Sequence, residues 1–229
     1  MRLLHPVLFQ DREDGGARLA ARLRGRDLRR PLVLAIPRGG VVTGARLARD
    51  LGAELDVVIA RKLRAPFQIE YALGAIGEDG QVFLNPSAVT AEDLPPGYLE
   101  AEKHYQLAEI DRRKKAIRRI RPVSQWQDRS IIVTDDGIAT GSTMIAALQT
   151  VRNHKPYQLI VAVPVASPDR LEQVRHWADD VVCLAAPEDF WAVSQFYEDF
   201  MPVEDEQMLQ ILQMATMKEK PPIQNSQPR

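Results

Sequence analysis

The sequence lacks the features that mark an exported or membrane protein. Cys183 is the only cysteine among 229 residues, so no internal disulfide can form and nothing indicates an oxidising compartment. The N-terminus has no apolar core of signal-peptide length, and no apolar run approaches the roughly 18 to 20 residues that cross a bilayer. We therefore expect a cytoplasmic protein with no membrane-spanning segment.

An excess of charge of one sign is also absent. Lys and Arg number 30 against 31 Asp and Glu, which gives a formal net charge of -1. This balance offers no general electrostatic attraction to nucleic acid or to an anionic membrane. The length and the 45% hydrophobic content fit one large α/β domain or two small ones. Any anion-binding site must therefore be local.

Short apolar runs rich in β-branched residues alternate with helical patterns, which is typical of a parallel sheet with crossover helices. The predicted strands cover residues 32–36, 55–60, 130–134, 159–164 and 181–185. The predicted helices cover residues 16–25, 44–51, 98–120, 141–153 and 168–178. Two further strands, 73–76 and 82–84, flank a Gly-Glu-Asp-Gly turn and predict a hairpin. The fold class is therefore α/β.

One segment combines a buried strand, two carboxylates and a glycine-bracketed loop that leads into a helix. Asp135 and Asp136 follow the strand 130–134, and the loop after them consists of Gly137, Ile138, Ala139, Thr140, Gly141, Ser142 and Thr143. A loop of this kind at a helix N-terminus offers backbone N–H groups and hydroxyls to a phosphate. The two carboxylates can accept hydrogen bonds from sugar hydroxyls. The segment therefore predicts a sugar-phosphate site.

The segment is not a P-loop, because no lysine precedes Ser142 or Thr143, and it is not the GxGxxG of dinucleotide-binding proteins. It resembles the signature of the type I phosphoribosyltransferases, which bind 5-phosphoribosyl 1-diphosphate (PRPP), and most closely the bacterial and archaeal members of unassigned substrate. The resemblance implies that Asp135 and Asp136 bind the ribose hydroxyls and that residues 137–143 bind the ribose 5-phosphate. It also implies a parallel sheet with flanking helices, a β-hairpin flap and a small C-terminal hood.

A second segment of strand, glycine-rich turn and helix carries Arg38, Gly39 and Gly40. Arginine can bind a diphosphate through two hydrogen bonds, and the glycines admit close approach of the backbone. The segment resembles the diphosphate loop of the same family, which often contains a non-proline cis peptide. Arg61 and Lys62 follow the predicted strand 55–60, and the resemblance places them near the diphosphate as well. A solvated charge pair is the alternative for these two residues.

The resemblance implies a domain over residues 1–215, with a flap at about 63–96, and the lack of periodicity at 216–229 predicts a disordered tail. The flap departs from the family, whose relatives usually read Lys-Leu-Gly-Ala-Pro-Gly-Asn, because this chain has Arg64-Ala65-Pro66-Phe67-Gln68. Phe190 and Trp191 lie in the predicted hood and are candidates to stack on a base, although a core cluster explains them equally well. The basic run 112–121 favours a solvated or subunit-facing helix over a nucleic-acid surface.

The resemblance implies transfer of 5-phosphoribose from PRPP to a nitrogenous base with release of diphosphate. Mg²⁺ is the expected cofactor, with Asp135 and Asp136 binding it directly or through water. Ala139 stands where the hypoxanthine-guanine branch has an aspartate, so a 6-oxopurine base is disfavoured. The alternative is a regulatory protein that senses PRPP without turning it over, as some members of this fold do. The base and the oligomeric state stay open, a homodimer included.

Overall fold

A computed structural model of the protein describes residues 7–66, 72–85 and 94–219. Its helices are α1 (Arg12–Leu23), α2 (Gly40–Leu51), α3 (Tyr98–Arg118), α4 (Ser142–Asn153), α5 (Pro168–Arg175) and α6 (Asp205–Glu219). Its strands are β1 (Leu32–Ala35), β2 (Glu54–Val57), β3 (Ala60–Arg64), β4 (Ala72–Gly77), β5 (Val82–Leu84), β6 (Ser130–Thr134), β7 (Gln158–Val165) and β8 (Asp180–Ala185). Within these residues, no helix is both long enough and apolar enough to cross a membrane.

Five parallel strands form the main sheet in the order β2-β1-β6-β7-β8, which confirms the predicted α/β class. Strand β1 pairs with β2 on one side and with β6 on the other. The chain therefore moves outward in opposite directions from β1 and β6. Ligands of open α/β sheets bind at such a reversal, beyond the carboxyl ends of the strands. The topology places a candidate site at the ends of β1 and β6.

The sheet is buried on both faces, as its unbroken apolar strands predict. Side chains of β1 alternate between the two faces. Val33 and Ala35 pack with α1, α2 and α6, whereas Leu32 and Leu34 pack with α4. Packing on both faces holds β1 in place, and so it also positions the loop that leaves its carboxyl end.

The predicted hairpin is present, but it belongs to a separate three-stranded antiparallel sheet with the order β3-β4-β5. The predicted strand 55–60 is in fact two strands, because β2 ends at Val57 and β3 begins at Ala60. Arg61 and Lys62 therefore lie within β3 and do not follow a strand of the parallel sheet. The sequence hides this change of direction because the connecting residues Val58 and Ile59 are as buried as the strands.

The turn of this hairpin is anchored to the body of the domain. Asp79 accepts hydrogen bonds from Thr150 Oγ1 at 3.0 Å and from Asn153 Nδ2 at 3.2 Å, both on α4. A Cβ on Gly77 would lie 2.3 Å from Thr150 Oγ1, so the strand approaches α4 as closely as a glycine permits. The predicted flap 63–96 lies partly outside the described residues, at 67–71 and 86–93.

Helices α1 and α2 begin before their predicted starts, α3 and α5 end two and three residues before their predicted ends, and α6 is an additional helix. Helix α1 begins at Arg12, four residues before the predicted start, because the Asp11 carboxylate caps it by accepting from the Asp14 N–H at 2.8 Å. Helix α2 begins at Gly40 instead of residue 44. Helix α6 was not predicted and continues to Glu219, so residues 216–219 are helical where a disordered tail was expected. The remaining residues of the predicted tail, 220–229, lie outside the described residues.

The basic run 112–121, at the end of α3 and just beyond it, is only partly solvated, which corrects its interpretation as a solvated or subunit-facing helix. Arg118 Nη1 lies 2.6 Å from Oδ1 of Asp56, whose side chain is completely buried. Arg121 retains 3% exposure and pairs with Glu54 at 3.1 Å. Glu54 and Asp56 lie two residues apart in β2 and so share one face of that strand. The strand therefore presents two acids to the end of α3, and the ion pairs with these acids explain why Arg118 is partly buried and Arg121 is buried.

We predict that Arg118→Ala lowers the free energy of unfolding by about 3 kcal/mol, the lower end of the cost of breaking a buried ion pair, because it removes the cation nearest to the buried Asp56 carboxylate and leaves Arg121 Nε 4.0 Å away. Lys115→Ala is the matched control on the same helix, since Lys115 and Asp111 expose 71% and 60% of their side chains. An exposed pair of this kind is worth at most about 1 kcal/mol. Urea titration of both variants measures the difference, and equal losses would contradict the assignment of a structural ion pair to Arg118.

Candidate functional site

Two loops leave neighbouring strands at the point where the strand order reverses. The first follows β1 and contains Arg38, Gly39 and Gly40, and the second follows β6 and contains residues 135–143. In register, Ala35 of β1 lies beside Thr134 of β6. The Ile36 N–H donates to the Thr134 carbonyl at 2.9 Å and continues the pairing to the start of both loops. The two sequence motifs, about 100 residues apart, are therefore adjacent in space.

The loop after β6 presents a row of unused hydrogen-bond donors. Among the described residues, the backbone N–H groups from Ala139 to Thr143 donate to no acceptor. Gly141 adopts a left-handed conformation (φ 77°) directly before α4, which turns this row towards the helix N-terminus. Consecutive free N–H groups at a helix N-terminus form an anion-binding concavity. Thr140, Ser142 and Thr143 add hydroxyls that bond to no residue in the described part of the chain.

Ile138 has a different role from the rest of that loop. Its N–H donates to the Val165 carbonyl at 2.9 Å, and its own carbonyl accepts from the Ser167 N–H at 3.2 Å. Its side chain is buried. Ile138 therefore ties the loop to the end of β7, and the free donors begin at the next residue, Ala139, which is exposed.

The loop after β1 is a second set of free donors. The N–H groups of Arg38, Gly39 and Gly40 donate to no acceptor within the described residues, and Gly39 caps α2 without a side-chain hydrogen bond. The peptide bond between Pro37 and Arg38 is cis, as the family resemblance implied for this loop. Two helix N-termini, of α2 and α4, thus point into one crevice with their first N–H groups available.

The glycines of the first loop are required by its contact with the aspartates of the second. A Cβ on Gly39 would lie 2.0 Å from Asp136 Oδ2, and one on Gly40 would lie 2.9 Å from the Cα of Asp135. Neither position has room for a side chain. The predicted glycines therefore bring the two loops into direct backbone contact with the predicted acids.

Two residues that the sequence did not single out complete the surroundings of Asp136. Arg12 Nε donates to Asp136 Oδ2 at 2.8 Å, and Arg12 Nη1 donates to the Met201 carbonyl at 2.9 Å. The Tyr197 hydroxyl donates to the Asp136 carbonyl at 2.6 Å. Arg12 lies in α1 and Tyr197 lies in the segment after β8, and neither stretch carries a sequence motif that predicts a binding site. Their aromatic neighbours, from Phe190 to Phe200, were the only available signal.

The two carboxylates lie in different electrostatic surroundings. Burial raises the pKa of Asp135 well above the ordinary range of an aspartate, and the adjacent charge of Asp136 raises it further. Burial also raises the pKa of Asp136, but the Arg12 guanidinium opposes that rise and favours the charged form of Asp136. A cation or a hydroxyl donor bound beside Asp135 favours its charged form and releases a proton.

The predicted diphosphate residues occupy three different environments. Arg38 Nη1 lies 2.8 Å from Oε2 of Glu204, just before α6. Arg61 donates through Nε to Gln106 on α3. Lys62 is exposed and, because side chains alternate along β3, it points to the opposite face of that strand from Arg61. The structure thus separates Arg61 from Lys62, which the sequence had treated as one basic pair.

The predicted hood lies against the aspartate loop. A Cβ on Gly137 would lie 2.7 Å from Val193 Cγ1, in a short 3-10 turn at Val193–Phe196. Phe190 packs on Phe196 with ring centroids 5.1 Å apart, whereas 84% of Trp191 is exposed. The two predicted stacking residues therefore differ, because Phe190 belongs to an aromatic cluster and Trp191 projects into solvent.

Fold and site together define an α/β protein with two rows of free backbone N–H groups at the ends of two neighbouring parallel strands. A family model described as the phosphoribosyl transferase domain matches residues 9–201. The chain belongs to the phosphoribosyl transferase family, and its fold is that of the type I members.

Two curated proteins, from two strains of Mycobacterium tuberculosis, are each named "Putative phosphoribosyl transferase" and are 41% identical to this chain over 208 residues. The match covers 91% of this chain and 47% of each relative, so the chain spans about half of their length. A crystal structure of the protein TT1426 from Thermus thermophilus is 44% identical, with a TM-score of 0.76 over 90% of this chain and 98% of that one.

We predict that Asp135→Asn stabilises the ligand-free protein, increasingly so as the pH rises. Because the pKa of Asp135 is higher in the folded state than in the unfolded state, the folded protein binds more protons between those two values. Its free energy of unfolding therefore falls as the pH rises from about 4 through the raised pKa. Asparagine cannot titrate, so the variant avoids this loss.

Urea unfolding of the wild type and the variant at pH 5 and pH 8 measures the effect. Asp27→Asn is the matched control, because it removes the same charge from an exposed position. A stability difference between the wild type and Asp135→Asn that is no larger at pH 8 than at pH 5 would contradict the buried-acid assignment.

Proposed function

We propose that the protein transfers 5-phosphoribose from PRPP to a nitrogenous base and releases diphosphate. The observation that carries this proposal is the pair of free donor rows after β1 and β6, with the two aspartates between them. PRPP carries a monophosphate at one end of the ribose, a diphosphate at the other and two ring hydroxyls. The crevice offers a matching group for each of these parts.

The loop from Ala139 to Thr143 binds the 5-phosphate in this proposal, and Asp135 and Asp136 accept hydrogen bonds from the ribose hydroxyls. The free N–H groups of Arg38 to Gly40 bind the diphosphate. Such donors stabilise the leaving diphosphate as its charge develops, which is the main demand of a reaction that leaves cationic character on the ribose. The rigid contact of the two loops holds the C1 carbon of the sugar between these anion sites.

The donor set suits Mg²⁺ only when substrate oxygens complete it. No group of three or more metal-binding side chains exists among the described residues, and Mg²⁺ commonly binds one or two carboxylates together with substrate phosphates. Asp135 and Asp136 are the residues that would hold it, directly or through water. When bound with PRPP, Mg²⁺ neutralises part of the diphosphate charge. The two carboxylates in turn position the ribose.

The nucleobase is the least constrained part of the proposal. Ala139 is exposed at the start of the free donor row and has no group that can exchange a proton with a base, which disfavours a 6-oxopurine. Trp191 is a candidate stacking residue because it lies on the segment that packs on Gly137 and leaves 84% of its surface open. Phe190 serves in the same proposal as its packed neighbour.

We predict base-dependent release of diphosphate when the protein is supplied with PRPP, Mg²⁺ and one member of a panel of purines and pyrimidines. Asp136→Asn is expected to lower kcat/KM for that release by at least about 10-fold, because it weakens a charge-assisted hydrogen bond to the ribose. Asp27→Asn, at an exposed position away from both loops, is the control and retains the wild-type rate.

The same protein is titrated with PRPP and Mg²⁺ by calorimetry. Binding of PRPP without base-dependent release would favour the regulatory alternative, in which the protein senses PRPP and does not turn it over. Failure of the folded wild type to bind PRPP would overturn both functions. Equal rates for Asp136→Asn and Asp27→Asn would contradict the role given to the aspartates.

A further inference from the structure

Three arginines from two parts of the chain converge on one carboxylate at the start of α6. Arg113 Nη2, on α3, lies 3.2 Å from Asp205 Oδ1, and Arg38 Nη1 lies 3.8 Å from the same oxygen. Arg112 Nη2 lies 3.4 Å from the other oxygen, Oδ2. The preceding residue, Glu204, pairs with Arg38. Arg38, in the proposed diphosphate loop, thus already forms ion pairs with two acids of the protein itself, Glu204 and Asp205.

In the ion pair between Arg113 and Asp205, each side chain has a buried polar atom without a hydrogen bond. Asp205 Oδ1 is buried and accepts no hydrogen bond of good geometry, although a guanidinium lies on each side of it. Arg113 exposes only 12% of its side chain, and its Nε has no hydrogen-bond partner among the described residues. Buried charged groups normally have their hydrogen bonds satisfied. The carboxylate therefore supplies charge at this position, but its oxygens do not meet the donors of Arg113 in hydrogen-bonding geometry.

The Arg113 guanidinium is also surrounded by other cations. Burial lowers its pKa, and the charges of Arg61, Arg38 and Arg112 lower it further, against the opposing effect of Asp205. A cation in such surroundings gains from a neighbour with more negative charge than one carboxylate. A diphosphate carries more charge and several acceptor oxygens, and Arg38 already lies in the loop proposed to bind it.

We propose that Arg113 is a second diphosphate-binding residue, acting beside Arg38, and that Asp205 occupies its place until the ligand arrives. This inference rests on the function proposed above. The diphosphate replaces the Asp205 carboxylate as the anion beside Arg113. The displaced carboxylate remains at the first position of α6, where the helix N-terminus favours a negative charge. Arg112 exposes 55% of its side chain and also pairs with Glu109, so it stays at the edge of the exchange.

Calorimetric titration with inorganic diphosphate and Mg²⁺ tests this exchange. We expect Asp205→Asn to tighten diphosphate binding by about 3- to 10-fold, because it removes the competing charge. Arg113→Gln is expected to weaken binding by at least about 10-fold, the usual effect of losing a charge-assisted hydrogen bond. Arg112→Gln is the matched control and is expected to change affinity by less than about 2-fold, as an exposed charge does.

Ribose 5-phosphate is the second probe, because it contacts the other loop and not the diphosphate site. Its affinity is expected to be the same in all four proteins, which separates a local role of Arg113 from a general disturbance of the fold. In the double variant Arg113→Gln, Asp205→Asn, the gain from removing Asp205 is expected to disappear.

Unchanged or weaker diphosphate binding by Asp205→Asn would overturn the inference, as would equal losses in Arg113→Gln and Arg112→Gln. If wild-type turnover and diphosphate binding are normal in either of these cases, the proposed function stands and only the role of Arg113 falls. An absence of diphosphate binding by the wild type and Asp205→Asn alike would overturn both.

Discussion

The contact between the Arg38–Gly40 loop and the two aspartates is the constraint on which the site depends. A Cβ on Gly40 would stand 2.9 Å from the Cα of Asp135, so only a residue without a side chain lets the backbones of the two loops lie this close together. The pairing of β1 with β6 also fixes the distance between the starting points of the two loops, since neighbouring strands lie about 4.8 Å apart. Both rows of free N–H groups are thereby held at a fixed spacing before any ligand binds, which is what preorganised binding requires.

The same contact has an electrostatic cost that the ends of the chain offset. Two adjacent carboxylates beneath the surface repel each other and are poorly solvated, as the raised pKa of Asp135 indicates. Arg12 compensates one of them, and Tyr197 holds the backbone carbonyl of Asp136 through a hydrogen bond. Arg12 stacks on Phe200 with 3.7 Å between the guanidinium carbon and the ring centroid, and Tyr197 packs on Phe9. The N-terminal and C-terminal segments thus meet over the acids and belong to the site as much as the loops do.

This arrangement explains which parts of the molecule the sequence could predict. The parallel strands were predictable because double burial leaves unbroken apolar runs, and both loops were predictable because each is one contiguous motif. Arg12 and Tyr197 escaped prediction, since each acts on a residue more than 60 positions away and sits in no local pattern. Arg113 belongs to the basic run 112–121, but nothing in that run predicts its contact with the distant Asp205. The boundary between β2 and β3 was wrong for a related reason, because burial continues through the bend at Val58 and Ile59. Helix α6 was missed because, over residues 205–217, where burial is described, only Met208 and Leu212 are buried, amid polar neighbours.

Basic and acidic residues that balance in number also lie against each other in the structure. Arg12 lies against Asp136, Arg38 against Glu204, Arg113 against Asp205 and Arg118 against the buried Asp56. Left bare, the cations around Arg113 would repel one another, so the ligand-free protein requires internal anions where the proposed ligand would place its own. Binding then becomes an exchange of ion pairs within the crevice. Its affinity is set by the difference between a diphosphate and the carboxylates it displaces, and the bulk charge of the protein has little part in it.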